Sequence, residues 1–421
     1  MSLETANFGQ YHSESIFNAQ GQQLGSERKK KTEFMRADVE SYLPSKPRYE
    51  ILDGLRGVAA MIVVGFHLFE TYSKGPAFQL LNHGYLAVDF FFLLSGFVIG
   101  YAYDDRWNRM STWEFFKRRL VRLHPMVIMG TAIGALLFYF GDSAAFPLIS
   151  QTPWWKMLLM FLLGCTMLPA LVKWDIRGWQ ETNSLNGPTW SLMWEYLANI
   201  LYALFVRRFS KTMLALLVLA SACLTIDVAL NIDLFGLLTN RKDAAYTVIG
   251  GWSITAEQCY IGIVRLFYPF FCGLLLSRVH KVVKIKNGFW WCSLLITAVL
   301  VMPRIGGETD VWKNGLYEVI SILLIFPIIV SIGAGSDITG KRSIALCKFL
   351  GEISYPLYIT HFPLIYIQIA WASNHPDMPT ATHICVGVSL FILSIGLAYA
   401  SLKVYDLPIR EWLRKKFLVR K

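Results

Sequence analysis

The sequence predicts an all-α fold, a polytopic transmembrane helix bundle of about ten spans with both termini in the cytosol. Composition is the first reason. Of 421 residues, 54% are hydrophobic and only 16% charged, and the mean hydropathy is +0.42, a balance foreign to a string of soluble domains. Second, apolar stretches long enough for a ~30 Å hydrocarbon core recur from Gly57 to Leu402. The third reason is the segregation of Lys and Arg between alternate loops, which also decides the number of crossings.

Candidate spans cover 57–72, 84–103, 125–141, 154–172, 189–206, 212–230, 259–277, 288–305, 315–333, 349–371 and 381–402. If all of them crossed, Arg207, Arg208, Lys211, Lys281, Lys284 and Lys286 would lie outside the cell, against the positive-inside rule. Residues 154–172, flanked by Trp154, Trp155, Trp174 and Trp179, are therefore read as interfacial or re-entrant, within a long outer segment, 142–188. Cytosolic segments then carry about 30 Lys and Arg and outer ones about 7.

The formal charge of +11 thus reflects insertion and contact with an anionic lipid bilayer, and no nucleic acid is expected. No apolar signal region precedes Leu55. Residues 1–48, with the basic cluster Arg28-Lys29-Lys30-Lys31, are read as a disordered cytosolic tail, 49–405 as the membrane domain, and 406–421 as a basic amphipathic cytosolic tail. The seven cysteines, scattered and without C-x-x-C, read as small buried apolar residues. No metal-binding, serine-hydrolase or nucleotide-loop motif occurs, so no metal is implied and chemistry must happen in or at the membrane.

The stretch DGLRGVAAMIVVGFH places Arg56 and His67 eleven residues apart. On a helix that is about 16 Å of rise and only ~20° out of register, so both line one face. Arg56 falls at the cytosolic interface and His67 near mid-bilayer, a pattern that suits a polar channel entered from the cytosol. In HGYLAVDFFFLLSGFVIG, Asp89 falls at a depth similar to His67 on an antiparallel neighbour, which predicts a His67–Asp89 pair. Ser95 and Gly96 suit close helix packing. In FFKRRLVRLHPM, Arg119 and Arg122 stand three apart on one helical face, a fork suited to phosphate, and a span is predicted to begin at Pro125. Glu195 sits two turns into the span after Asn186-Gly187-Pro188, with Ser191 one turn before it. It reads either as an acid/base and hydroxyl ligand or as the partner of an intramembrane arginine, Arg265. In GEISYPLYITHFPLI, His361 reads as structural or substrate-orienting.

With LDGLRGVAAMIVVGFH, GYLAVDFFFLLSGFVIG, FFKRRLVRLHP, PTWSLMWE and SYPLYITHFP in order from 52 to 363, the chain resembles the acyltransferase type 3 family of integral membrane O-acyltransferases. The resemblance implies ten core spans, the number reached from charge. It also implies transfer of an acyl group, commonly acetyl from acetyl-CoA, to hydroxyls of cell-surface or exported glycans or similar acceptors. His67 resembles the family's essential histidine, Arg56 its partner arginine, and Arg119 and Arg122 the pair thought to hold CoA. The expected form is stand-alone, without a fused extracytoplasmic esterase-like domain, which leaves room for an extracytoplasmic partner transferase. Trp194 is expected to shape the acceptor site. Acyl-CoA is a co-substrate and no cofactor is permanently bound. The location is an integral membrane one, the bacterial inner (plasma) membrane.

On this reading His67 is either the general base toward the acceptor or a covalent acyl carrier. A competing class is a transporter or flippase of an anionic lipid-linked sugar, because intramembrane ionisable groups also mark transport pathways. The R-x10-H face joined to R-x-x-R favours the enzyme. Reporter fusions after Lys211 and Lys284 should both report cytosol; an external signal at either would end the ten-span arrangement.

Overall fold

The computed structural model describes residues 46–418, apart from 74, 76–78, 240, 242–243, 281 and 308. The predicted N-terminal tail, with its basic cluster, lies outside the described residues except for its last three. Residues Pro47–Glu411 form one compact unit. In chain order the helices are α1 (Glu50–Glu70), α2 (Ala87–Tyr103), α3 (Thr112–Leu137), α4 (Trp154–Thr166), α5 (Thr189–Leu204), α6 (Lys211–Ala229), α7 (Ala256–Val279) and α8 (Gly288–Val301). Next, α9 (Trp312–Ile320) runs through a π-helical stretch into α10 (Phe326–Gly335), followed by α11 (Lys341–Thr360), α12 (Phe362–Asn374), α13 (Thr380–Ala400) and, after a second π-helical stretch, α14 (Leu407–Phe417). The described residues include no β-strand, and the chain is an all-α polytopic bundle.

Seven helical segments among the described residues are long and apolar enough to cross a membrane, and each coincides with a span read from the sequence. The other three predicted crossings correspond to α5, α8 and the broken pair α11–α12. The remaining apolar segment, 154–172, holds α4, whose 13 residues extend about 20 Å, close to the length of the 14-residue α8. Trp154 and Trp155 stand exposed at its start.

One boundary differs from the sequence expectation. Helix α3 begins at Thr112, not at Pro125, because Ser111 and Glu114 form a complete capping box and Pro125 lies inside the helix. The arginine pair therefore rides on the same continuous rod as the span. By contrast, the span predicted at 349–371 is interrupted at His361, between α11 and α12. Pro363 near the start of α12 suits that restart, since a proline at the first turn gives up an N–H that has no helical partner.

Two seams set the architecture. Along α2 and α7, a Cβ added to Gly96 would lie 2.0 Å from the Phe270 carbonyl oxygen, and one added to Gly273 would lie 2.0 Å from that of Leu93. The two backbones touch, as the Ser95-Gly96 pair suggested. Along α1 and α11, a Cβ on Gly57 would meet the Leu350 carbonyl oxygen at 2.3 Å. So α1 faces α11, whereas α2 faces α7. Exposed apolar residues such as Leu216 and Leu219 on α6, and Ile384, Val388 and Ile392 on α13, present the surface that lipid covers.

The outer segment 142–188 is packed rather than loose. The Asp175 carboxylate accepts from the backbone N–H groups of Arg177, Gly178 and Gln180 at 2.7–2.9 Å. Arg177 is buried with its guanidinium 3.7 Å from the Tyr366 ring centroid, and its Nε donates to the Ser184 carbonyl. These contacts clamp the segment onto α12.

Gly96→Ala should cost about 1–3 kcal/mol through overpacking, read as a lowered Tm in detergent. Gly396→Ala, with nothing within 4 Å of the added carbon, should leave Tm unchanged.

Candidate functional site

The ionisable residues singled out from the sequence fall into three groups. The first surrounds His67 on α1. Its Nδ1 lies 2.7 Å from Oε2 of Glu70, one turn further along the same helix. A carboxylate accepts, so Nδ1 is the donor, and in a neutral ring the other nitrogen is the one left to accept. Phe362 packs edge-on against the ring at 4.8 Å, and the His361 ring lies 5.5 Å away. His361 is fully buried at the α11–α12 break. Its Nδ1 lies 3.0 Å from the Leu357 carbonyl oxygen, while Nε2 has no partner. A carbonyl accepts only, so this second imidazole also presents a bare nitrogen, beside the first. Ser191 does not join Glu195; its hydroxyl is 2.7 Å from that of Tyr358, whose ring neighbours His361.

The second group gathers where α1, α3 and α5 meet. Arg56 donates to Asp53 and to the Ser354 hydroxyl, each at 2.9 Å. Arg119 is buried and ion-paired with Glu195 at 2.7 Å, and Ser95 donates to the same carboxylate oxygen at 2.8 Å. Arg122 is exposed, makes no hydrogen bond or ion pair among the described residues, and feels the charges of Arg119, Arg56 and Asp53. The expected fork is therefore unequal: Arg119 is occupied by a carboxylate and Arg122 is open.

The third group overturns the predicted His67–Asp89 pair. Asp89 is fully buried and held by Arg265, with Nη2 at 2.6 Å and Nε at 3.3 Å. Arg265 also donates to the carbonyls of Tyr85 and Gly250 at 2.7 and 3.0 Å. The physical reason is the pair of helix seams: α2 turns Asp89 toward α7, and α1 turns His67 toward α11 and α12. Equal depth did not mean a shared face. Arg265 is thereby also removed as a partner for Glu195. Trp194, expected at the acceptor site, donates to the Gly251 carbonyl at 3.0 Å and packs over Gly262.

Several neighbours escaped the sequence reading. Glu70 was legible, being three residues from His67 on one helix face. Glu181 was not, since a packed outer loop brings it to the Tyr366 hydroxyl at 2.5 Å. Burial raises the Glu181 carboxyl to about 8, and the nearby Glu70 charge adds to the rise. Among the described residues no group of three His, Cys, Asp or Glu could hold a metal ion.

The bundle thus carries a histidine held by a carboxylate on α1 and a cluster of arginines at Arg56, Arg119 and Arg122. Comparison with known proteins supplies the class. Residues 49–403 match the acyltransferase domain model, and the chain belongs to this acyltransferase family. It is similar to protein 2 of the picA locus of Rhizobium radiobacter, 31% identical over 42% of this chain and 91% of that protein. Acyltransferase MdmB of Streptomyces mycarofaciens is 24% identical over 76% of this chain and 80% of its own length. O-acetyltransferase OatA of Staphylococcus aureus is 24% identical over 87% of this chain, which spans only 58% of that protein. No solved structure matches. The chain is an integral membrane acyltransferase.

Breaking the Asp89–Arg265 pair should be expensive. Asp89→Leu leaves Arg265 buried and uncompensated, at a cost of about 3–5 kcal/mol, whereas Asp89→Leu with Arg265→Met should recover most of the loss. Thermal melts of both variants in detergent test this, and equal melts would mean the pair is not what holds α2 to α7.

Proposed function

We propose that the chain transfers acetyl from acetyl-CoA to a hydroxyl of a cell-surface or exported glycan, in a bacterial inner membrane, with His67 as general base. The observation that carries this reading is the Glu70-held His67 ring, whose free nitrogen is oriented as a base requires. The O-acetyltransferase name of the Staphylococcus aureus relative supports acetyl as the group and oxygen as the acceptor.

The donor enters at the arginine cluster. The open guanidinium of Arg122 takes the CoA phosphates, backed by Arg56 and by Arg119, which Glu195 and Ser95 hold in place. Arg56 and His67 are about 16 Å apart along α1, a distance the extended pantetheine arm bridges to bring the thioester to the histidine. The acceptor comes from the opposite end, past Glu70 and the outer segment. His67 removes the hydroxyl proton while the oxygen attacks the thioester carbonyl. The C–S bond then breaks, and the imidazolium returns its proton to the departing thiolate, giving the ester and free CoA thiol. The bare Nε2 of His361 supports a diol acceptor. One hydroxyl surrenders its proton to His67 and its neighbour donates to His361, an arrangement common on sugar rings.

Calorimetry of CoA binding, combined with thiol release from acetyl-CoA in the presence of cell-envelope glycan, tests both halves. Arg122→Lys keeps the charge but loses the bidentate grip. CoA affinity should fall by about ten- to a hundredfold, matching one lost charge-assisted bond of roughly 1.5–3 kcal/mol. His67→Ala should abolish thiol release without changing CoA affinity. Glu70→Gln should lower kcat by about tenfold or more, since the ring then lacks its carboxylate. Affinities within twofold for Arg122→Lys would place the donor elsewhere, and a well-folded, active His67→Ala protein would remove His67 from the chemistry.

A further inference from the structure

The outer mouth beside His67 carries a side-chain cluster that the reaction so far does not use. Three helix faces converge there. Helix α1 contributes the Leu68 carbonyl and Tyr72, just past its last residue. Gln368 and Trp371 come from one face of α12, His375 lies just past its last residue, and His383 and Gly387 lie one turn apart on α13. Gln368 is buried, and its amide nitrogen reaches the Leu68 carbonyl oxygen at 3.4 Å, one residue from His67. Its amide oxygen is buried and has no partner among the described residues. A buried amide oxygen that accepts nothing is costly, and it is the amide nitrogen, not this oxygen, that comes within 3.8 Å of a Cβ built on Gly387 of α13.

Above it the rings form a ledge. Trp371 stacks on His375 with centroids 5.3 Å apart, and His383 meets Trp371 edge-on at 5.0 Å. Tyr72 meets His383 edge-on at 5.3 Å, and its hydroxyl lies 3.2 Å from His383 Nδ1. Tyr72 is 46% exposed, His375 is exposed, and Trp371 and His383 are half-buried, so ring faces remain open to the outside. An interfacial belt uses separate Trp and Tyr residues lying among headgroups. Here two histidines, a tryptophan and a tyrosine are packed against one another around a buried polar atom.

We infer that Tyr72, Gln368, Trp371, His375 and His383 form a pyranose-binding subsite that holds one sugar ring of the acceptor on the aromatic ledge, the Gln368 amide, buried in the sugar-free protein, turning to accept from a ring hydroxyl. The chemistry matches part by part. The axial C–H face of a pyranose is weakly positive and suits the negative face of an aromatic ring. Its hydroxyls supply the donor that Gln368 lacks. A sugar seated there leaves its neighbour in the glycan one step from His67 and His361. The inference rests on the proposed glycan acceptor and names where that glycan is gripped.

The test is saturation-transfer NMR on the full-length protein in detergent, with maltotriose and triacetylchitotriose as probes and no acyl donor present. At least one trisaccharide should show transfer concentrated on its ring C–H protons. Gln368→Met, similar in volume, should weaken that affinity about three- to tenfold, and Trp371→Ala by a similar factor. Trp155→Ala, an exposed aromatic on α4, should leave it unchanged, and melting curves confirm that each variant is folded. Should Trp371→Ala not fold, Trp371→Leu serves in its place with the same expectation. No transfer to either sugar, or equal affinity in wild type, Gln368→Met and the Trp371 variant, overturns the subsite. Because sugar binding is read without CoA, it fails or stands separately from the acyl-transfer reading, which CoA binding and thiol release decide.

Discussion

The constraint on which this structure depends is that charge inside the bundle must be closed. A carboxylate or guanidinium taken out of water is tolerated only with a partner close by, and the bundle meets this where α2 packs on α7 and where α3 meets α5. Asp89 is closed by Arg265 between α2 and α7, Glu195 by Arg119 between α5 and α3, and Asp104 by Arg278 between α2 and α7 at the other end of the same seam. These pairs tie the helices in one register, so the glycine contacts at Gly96 and Gly273 can bring backbones into touch without sliding. A pair of this kind contributes little net stability, but its disruption strands a charge, and that makes the register specific.

Other groups are left open among the described residues. Arg122 makes no hydrogen bond or ion pair, and the Nε2 of His361 and the amide oxygen of Gln368 are buried without a hydrogen-bond partner, as are single nitrogens of Arg119 and Arg241. In the reading proposed above, Arg122, His67, His361 and Gln368 supply in that order a cation, two proton acceptors and a hydroxyl acceptor.

How much of this was legible in the sequence follows from the range of the forces involved. Helix existence, the helix within 154–172 and the arginine–histidine face of α1 depend on periodicity and on the length of apolar runs, both local, and they were readable. So was Glu70 in principle, three residues from His67. The partner of Asp89 was not. Depth along a span can be counted, but the direction in which a helix turns a side chain depends on which neighbour its small residues contact, here Gly96 against Phe270 and Gly57 against Leu350. The same holds for Arg119, whose carboxylate comes from α5, 76 residues away. Pro125 misled for a related reason: a proline reads as a helix start, and only the Ser111–Glu114 cap, which begins fourteen residues earlier, shows that the helix was already running.

The joint at His361 ties these threads together. His361 keeps helical dihedrals, φ −73° and ψ −39°, and its N–H reaches the Leu357 carbonyl at 3.2 Å, so α12 follows α11 directly and carries Phe362, the Tyr366 ring that clamps Arg177, and Gln368. Because α12 is held by the outer segment through Arg177 and Glu181, and α11 is held by α1 at Gly57, the two imidazoles are positioned by different parts of the fold. His67 moves with α1 and its arginine end, whereas His361 sits at the joint with the outer segment. In the reaction proposed above, the donor and acceptor sides would thus be anchored independently and meet at one pair of rings, the geometry needed to pass a group between ligands entering from opposite ends.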